Sequence, residues 1–235
     1  MKSNQKEVTT APQTIESFIH PNSLVKKMEV NPRFFFESLR STKYDSYSAI
    51  YELVDNGIDA KATSIRVTYN KDKATLTIVD NGIGMSLGRL MSCMDLGCDS
   101  SYTENQIGYF GVGMKTGILN LIDLDIENPT CTILTNDGTQ TTKMFWEPKK
   151  DVRHLSFDIV ENTNTERGTT ITVEGVKSFN PGPFKKNAGV VFFPTLKNGM
   201  VKIFFNDEEI VGTDPLYRDR EKTISNYVDT NVNGE

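Results

Sequence analysis

The stretch Tyr-Glu-Leu-Val-Asp-Asn-Gly-Ile-Asp-Ala, residues 51–60, carries the pattern that decides the fold of this chain. A helix turns by about 100° per residue, so Glu52, Asn56 and Asp59 fall on one of its faces. Much of the opposite side belongs to four apolar residues, Ile50, Leu53, Val54 and Ile58. Taken alone, this pattern is typical of a core helix with a solvated acidic face. Two glycine-rich stretches further along the chain favour a binding site on that face instead.

Composition places the chain among ordinary globular proteins. Its 235 residues are 37% hydrophobic and 24% charged, enough for one domain, or for one domain and the start of another. The net charge of −5 gives no support to nucleic-acid binding, which requires clustered lysine and arginine. No apolar run reaches the length of about 18 residues that a membrane span needs. The three cysteines lack metal-ligand spacing and indicate reduced thiols, hence an intracellular protein of the cytoplasm or nucleus.

The first glycine-rich stretch is Asp80-Asn-Gly-Ile-Gly-Met85, which directly follows a predicted hairpin. The hairpin strands are Ser64–Tyr69 and Ala74–Val79, both with alternating apolar residues. A carboxylate at a strand end is held rigidly, and Gly82 and Gly84 allow a flat ligand to approach the backbone. Such an acid accepts a hydrogen bond from an exocyclic amine such as that of adenine. A plain Asp-Asn-Gly turn is the alternative interpretation.

The second glycine-rich stretch is Gly108-Tyr-Phe-Gly-Val-Gly-Met-Lys-Thr116, ahead of a predicted helix. Glycines at a helix N-terminus expose several backbone N–H groups together, which favours an anion such as phosphate, and Lys115 adds a charge. A flexible linker before the helix is the alternative. A P-loop phosphotransferase is a more remote one, because Met114 interrupts the required Gly-Lys-Thr and the polar segment 102–107 replaces the expected strand. The glycine spacing of a dinucleotide-binding fingerprint is absent.

The remaining pattern predicts an α+β order of elements. A helix starting at Asn31-Pro32 precedes the opening motif, and a helix over 86–97 is followed by a loop over 97–107. Four further strands are predicted, Cys131–Thr135, Thr142–Trp146, His154–Val160 and Thr169–Glu174. A Pro/Gly-rich break at 180–183 precedes a short helix and a last strand, Val201–Phe205. Helices, a hairpin, more helices and a meander predict a sandwich rather than a βαβ array.

A fourth motif, Arg167-Gly-Thr169, begins the last strand of the meander. Together with the three motifs above it reproduces, in order, the boxes of a known superfamily. Residues 31–210 resemble the GHKL ATPases: gyrase-type topoisomerases, MutL, ninety-kilodalton heat-shock chaperones and histidine kinases. Within that group, Gly-Tyr-Phe-Gly-Val-Gly-Met-Lys-Thr-Gly at 108–117 is most similar to the MORC-type ATPases and their bacterial relatives. The chain lacks the Arg-Gly-Glu of the MutL glycine box.

The resemblance implies a role for each matching residue. Glu52 would be the general base that activates water for attack on the γ-phosphate of ATP, and Asn56 the side-chain ligand of Mg²⁺. Asp80 would bind the adenine amine with the help of Thr169, and 108–116 would wrap the phosphates as part of a lid. The implied nucleotide-binding set is Asn56, Asp59, Asp80, Gly84, Met85, Gly108, Tyr109, Phe110, Gly111, Val112, Gly113, Met114, Lys115, Thr116 and Thr169.

The expected fold is a two-layer α/β sandwich of the GHKL (Bergerat) type, with a mixed, mostly antiparallel sheet and helices on one face. We expect a flexible tail over 1–30, the ATPase domain over 31–180, and over 181–235 its end and the start of a truncated or absent transducer domain. The implied function is a Mg²⁺-dependent ATPase whose nucleotide state gates a homodimer or a conformational change, slow and mainly monomeric as an isolated chain. A nucleotide-binding regulatory or interaction module with negligible turnover is the alternative.

Overall fold

Alternation of apolar and polar residues builds the largest feature of the structure, a sheet that carries one apolar face. The structure, a computed structural model, describes residues 32–41, 44–95, 113–161 and 166–216. The helices are α1 (Pro32–Ser41), α2 (Ser46–Asp59), α3 (Leu87–Met94), α4 (Gly113–Leu121), α5 (Pro181–Val191) and α6 (Phe193–Lys197). The strands are β1 (Ser64–Asn70), β2 (Thr75–Asp80), β3 (Thr130–Asn136), β4 (Thr141–Trp146), β5 (Leu155–Val160), β6 (Gly168–Glu174), β7 (Lys202–Phe205) and β8 (Glu208–Glu209).

The strands of the described residues form one sheet in the order β5-β4-β3-β6-β2-β1-β7-β8. Strand β7 runs parallel to β1, and every other neighbouring pair is antiparallel. This confirms the predicted mixed, mostly antiparallel sheet of an α+β fold. Strands β6 and β2 are neighbours although residues 81–167 lie between them in the chain, so the sheet brings two of the sequence motifs side by side.

One face of the sheet is buried beneath helices. In β1, Ile65, Val67 and Tyr69 are buried while the residues between them are exposed. This alternation places every second side chain in the core, as the period of a strand requires. Helix α2 lies directly on β1, since a Cβ atom added to Gly57 would stand 2.9 Å from Cδ1 of Ile65. The buried apolar residues of α2 are Ala49, Ile50, Leu53 and Val54.

Hydrogen bonds with neighbouring groups fix both ends of helix α2. Asp45 is its N-cap, and the Oδ1 atom of Asp45 accepts a hydrogen bond from the backbone N–H of Ser48 at 2.7 Å. At the other end, the carbonyl of Ala60 accepts a hydrogen bond from the N–H of Ile83 at 2.9 Å. The C-terminus of α2 is therefore tied to the segment that follows β2, which fixes the two motifs relative to each other.

Most predicted elements appear within one residue of the expected bounds, but two differ. The helix predicted over 86–97 ends at Met94, where the backbone of Asp95 turns into an extended conformation. The expected break at 180–183 is wrong, because α5 starts at Pro181 with Asn180 as its N-cap and continues for 11 residues. Proline suits the first turn of a helix, where no intrahelical N–H bond is lost.

Several predictions fall on residues outside the described ranges. The tail over 1–30, the loop over 97–107 and the first part of the lid, 108–112, are among them. In the described part of the chain, no helix combines the length and the apolar character that a membrane crossing demands.

Candidate functional site

Helix α2 presents Glu52, Asn56 and Asp59 as half-buried residues, in agreement with their predicted position on one face. The carboxylate of Glu52 accepts a hydrogen bond at its Oε1 atom from the hydroxyl of Tyr44, at 2.5 Å. The side-chain nitrogen of Asn56 is buried and makes no hydrogen bond with any described residue. A buried polar atom without a partner is uncommon in a folded protein and is a mark of a site that receives a ligand.

The start of helix α4 adjoins Glu52. A Cβ atom added to Gly113 would lie 2.6 Å from Oε2 of Glu52, so the absence of a side chain at this position makes room for the carboxylate. Further along α4, a Cβ atom at Gly117 would stand 3.0 Å from the carbonyl oxygen of Ala49, which shows how closely α4 packs on α2. The first N–H groups of a helix have no intrahelical acceptor, so the N-terminus of α4 offers donors next to Glu52.

Asp80 ends strand β2 beside the C-terminal half of α2. A Cβ atom added to Gly57 would lie 3.2 Å from the Cβ of Asp80, so a side chain at position 57 would displace the acid. The Oδ1 atom of Asp80 accepts a hydrogen bond from the N–H of Gly82 at 2.8 Å. Burial raises the pKa of Asp80, and hydrogen bonds with the backbone of Gly82 and Thr169 oppose the shift. The carboxyl group is thus held rigidly in a partly desolvated position.

A polar row runs across the sheet from Asp80. The strand register pairs Asp80 with Thr169, and Thr169 with Thr135 of β3. The hydroxyl of Thr135 donates to the carbonyl of Gly168 at 3.1 Å and lies 3.1 Å from the hydroxyl of Thr169. A hydroxyl has one proton, so Thr169 donates to Thr135 and keeps its own lone pairs as acceptors. The row therefore offers the carboxylate of Asp80 and the hydroxyl of Thr169 side by side.

Thr135 also positions the loop after β2. Its hydroxyl oxygen accepts a hydrogen bond from the N–H of Met85 at 2.9 Å. Gly84 has a positive φ of 66°, and a Cβ atom there would stand 1.9 Å from the carbonyl oxygen of Asn136. Only glycine fits such an approach, so the loop is pressed against the turn between β3 and β4. Arg167 also holds this loop, because its Nε donates a hydrogen bond to the carbonyl of Ile83 at 2.9 Å.

Lys115 and Thr116 are buried in the first turns of α4. The ammonium of Lys115 donates a hydrogen bond to the carbonyl oxygen of Cys93, in the last turn of α3. In this structure the lysine therefore supports the C-terminus of α3, a favourable place for a positive charge. Its expected contact with a phosphate stays a prediction.

A second acidic group accompanies Glu52 on α2. Burial, together with the smaller effect of the neighbouring charges of Glu52 and Asp59, raises the pKa of Asp55 to about 6. Among the described residues, no group of three or more histidine, cysteine, aspartate and glutamate side chains is arranged to hold a metal ion.

The opposite face of the sheet carries a concavity of about 360 Å³. Arg66, Val79, Leu134 and Thr170 are register partners that line it on the face away from the helices. Asp80, Thr135 and Thr169 also line it, so the concavity borders the adenine end of the candidate site, whereas Glu52 and Asn56 do not contribute to it.

Sequence patterns missed two residues of the site. Tyr44 precedes the N-cap of α2, and a separation of eight residues from Glu52 has no characteristic pattern. Thr135 resembles any other strand-end threonine until the register of β3 against β6 is known. Of the predicted set, Gly108, Tyr109, Phe110, Gly111 and Val112 lie outside the described residues.

Comparison with known proteins yields one family and several relatives. The family described as histidine kinase-, DNA gyrase B- and HSP90-like ATPase matches residues 44–170. Protein MICRORCHIDIA 1 of Arabidopsis thaliana is 31% identical over 121 residues, which cover 45% of this chain and 19% of that protein. Chaperone protein HtpG of Cronobacter sakazakii is 27% identical over 122 residues, which cover 46% of this chain and 18% of the chaperone. The matched segment thus spans about a fifth of the length of these relatives.

Proposed function

Because this chain belongs to the histidine kinase-, DNA gyrase B- and HSP90-like ATPases, we propose that it binds and hydrolyses ATP with the help of Mg²⁺. The observation that carries the proposal is the buried amide nitrogen of Asn56, which no described residue satisfies, one helical turn from the carboxylate of Glu52. In a family of ATPases, a buried amide group without a hydrogen-bond partner is best explained by a bound ligand that supplies the missing partner.

In this proposal Asp80 and Thr169 bind the adenine base. The amine of adenine donates hydrogen bonds, and the carboxylate of Asp80 accepts them. Burial around Asp80 strengthens such a bond, since less water competes for the carboxylate. The flat base would fit against the loop that contains Gly84 and Met85, which Thr135 holds in place.

Asn56 would contribute the protein ligand of Mg²⁺. The oxygen and nitrogen of an asparagine amide exchange places by a simple rotation, so the unpartnered amide is able to present its oxygen to a cation. Magnesium prefers oxygen ligands and commonly takes one or two from the protein, with phosphates and waters completing the set. Bound there, it would neutralise phosphate charge.

Glu52 would act as the general base. Its Oε1 atom is engaged by Tyr44, and its Oε2 atom faces Gly113 at the start of α4. A water held next to Oε2 would lose its proton to the carboxylate as it attacks, while the N–H groups of α4 offer donors to phosphate oxygens. The residues of the α4 N-terminus, Gly113 to Thr116, are proposed as the described part of the phosphate site.

We further propose that nucleotide state controls assembly or conformation, as a homodimer that forms with ATP. The relatives are about five times longer than the matched segment, so the action of a whole protein would depend on further domains. Reduced thiols, such as the buried Cys131, fit a cytoplasmic or nuclear location.

The proposal is tested with four proteins: wild type, Glu52→Gln, Asn56→Ala and the control Asp158→Asn, whose carboxylate is exposed on the edge strand β5. Calorimetry measures ATP binding with and without Mg²⁺, and phosphate release measures turnover. We expect Glu52→Gln to bind ATP as wild type does but to lose turnover by at least about 100-fold, on the scale of general acid–base catalysis. Asn56→Ala should lose the increase in ATP affinity that Mg²⁺ gives, and Asp158→Asn should match wild type.

Two results would change the conclusion. If wild type binds ATP but neither it nor Glu52→Gln releases phosphate above background, the chain is a nucleotide-binding module and not an enzyme. If Asn56→Ala retains the full effect of Mg²⁺ on affinity, the metal assignment is wrong.

A further inference from the structure

Tyr44 stands in direct contact with the residue that carries the proposed chemistry. Its hydroxyl donates to Oε1 of Glu52 at 2.5 Å, a short distance typical of a bond to a charged acceptor. The two residues are eight positions apart, so the contact depends on the way the chain enters helix α2.

The chain at Tyr44 is held firmly by its neighbours. The next residue, Asp45, is the N-cap of α2 and binds the N–H of Ser48 through its side chain and that of Ala49 through its carbonyl. The ring of Tyr44 packs against the hydrophobic core. Backbone and ring are thus both constrained, so the hydroxyl stays pointed at Glu52 without further loss of side-chain freedom.

The tyrosine remains a donor over the physiological range. Burial, the hydrogen bond to Glu52 and the charges of Glu52 and Asp55 together raise its pKa to about 12. A neutral hydroxyl donates one hydrogen bond, and Oε1 of Glu52 accepts it. The two oxygens of the carboxylate are therefore not equivalent, since Oε1 is occupied and Oε2 faces Gly113.

We propose that Tyr44 is a positioning residue for Glu52, which fixes the orientation of the carboxylate and leaves Oε2 as the oxygen that accepts the proton of the attacking water. This proposal rests on the ATPase function proposed above. Tyr44 itself exchanges no proton with the substrate: the O–H bond of water breaks, the proton passes to Oε2, and the phenol proton stays on Tyr44.

The role predicts a specific loss in Tyr44→Phe. Removing one oxygen leaves the ring in place, so the fold is retained, but the carboxylate is free to rotate away from the water. We expect kcat to fall about 10-fold, on the scale of a lost hydrogen bond to a charged group, with the Kd for ATP within about twofold of wild type. In a Glu52→Gln background, Tyr44→Phe should cause no further loss.

Tyr47→Phe is the matched control. Tyr47 lies near the same end of α2, and its hydroxyl donates to the carbonyl of Asn180 at 2.9 Å, away from Glu52. This variant removes one tyrosine hydroxyl bond from the helix but should keep kcat within about twofold of wild type, because no group of the proposed chemistry is touched. Equal losses in both variants would show a general effect on α2 and overturn the proposal.

Nuclear magnetic resonance of protein with ¹³Cζ-labelled tyrosine, free of nucleotide, gives a readout that does not depend on activity. The Tyr44 signal is the one missing from Tyr44→Phe, and it should move in Glu52→Gln but not in the exposed control Glu209→Gln. An unmoved signal, or an unchanged kcat in Tyr44→Phe, overturns the positioning role while ATP hydrolysis by wild type stands. Wild type that fails to bind ATP would instead refute the proposed function itself, and the positioning role with it.

Discussion

Replacing Gly84 by alanine tests the geometry of the loop that follows β2. The residue has a φ of 66°, in the left-handed region, and an added Cβ atom would lie 1.9 Å from the carbonyl oxygen of Asn136 and 2.5 Å from its carbonyl carbon. These are main-chain atoms of Asn136, the last residue of β3 before the turn, so no side-chain rotation relieves the overlap. Loop and turn would have to separate.

The cost has two parts. An alanine in the left-handed conformation loses about 1–2 kcal/mol relative to glycine. Separation of the loop from the turn costs about 1–3 kcal/mol more, because the overlap must be relieved and the bond from Met85 N to the Thr135 hydroxyl is weakened. We therefore expect Gly84→Ala to lower the free energy of unfolding by about 2–5 kcal/mol, the sum of these terms.

Two other glycines separate the contributions. Gly199 has a φ of 65° and no heavy atom within 4 Å of an added Cβ, so Gly199→Ala should show the backbone cost alone, about 1–2 kcal/mol. Gly88 lies in α3 without a positive φ and also has open space around it. Gly88→Ala should stabilise the protein by about 0.5–1 kcal/mol, because alanine favours the helix.

Urea unfolding followed by tryptophan fluorescence measures all three variants. The chain has one tryptophan, Trp146, which is 1% exposed in the folded state, so its emission reports unfolding directly. A difference of less than about 1 kcal/mol between Gly84→Ala and Gly199→Ala would refute the close approach of the loop to the turn. The same reasoning predicts that only Gly84→Ala weakens ATP binding, because only this change displaces the loop beside Asp80.

Three further predictions concern single groups. Asp80→Asn should abolish ATP binding in calorimetry without lowering the urea midpoint at pH 7. Because the pKa of Asp80 is raised in the folded state, its charged carboxylate destabilises the fold. This destabilisation is absent below the unfolded pKa near 3.8 and complete above the folded pKa. A large drop in the urea midpoint of Asp80→Asn would therefore contradict the raised pKa. Thr135→Val should cost about 1–3 kcal/mol in urea unfolding, because the N–H of Met85 loses its acceptor, whereas Thr135→Ser should keep most of the stability; equal losses would refute the role of the hydroxyl. Burial raises the pKa of Cys131 to about 12, so this thiol should resist iodoacetamide in the folded protein at pH 8 and react in urea. Mass spectrometry measures the labelling, and labelling of the folded protein would contradict the burial of Cys131.

Sequence alone determined the elements and the partition of their faces. The polar face of α2 and the hairpin of β1 and β2 follow from local periodicity, because a helix or a strand repeats its side-chain direction within a few residues, and the glycine-rich motifs are read directly from the sequence. The resemblance of four ordered motifs predicted the family that residues 44–170 then showed. These inferences needed no knowledge of which elements are neighbours.

Tertiary structure decided how those elements meet. The pairing of β6 with both β2 and β3 creates the row from Asp80 through Thr169 to Thr135. The sequence around Thr135 does not predict that this residue belongs to the row. The contact of Tyr44 with Glu52 and the burial of Lys115 against α3 likewise depend on packing. The physical reason is that periodicity tells which side chains share a face, whereas strand register and helix packing depend on residues far apart in the chain that come together only when the core forms.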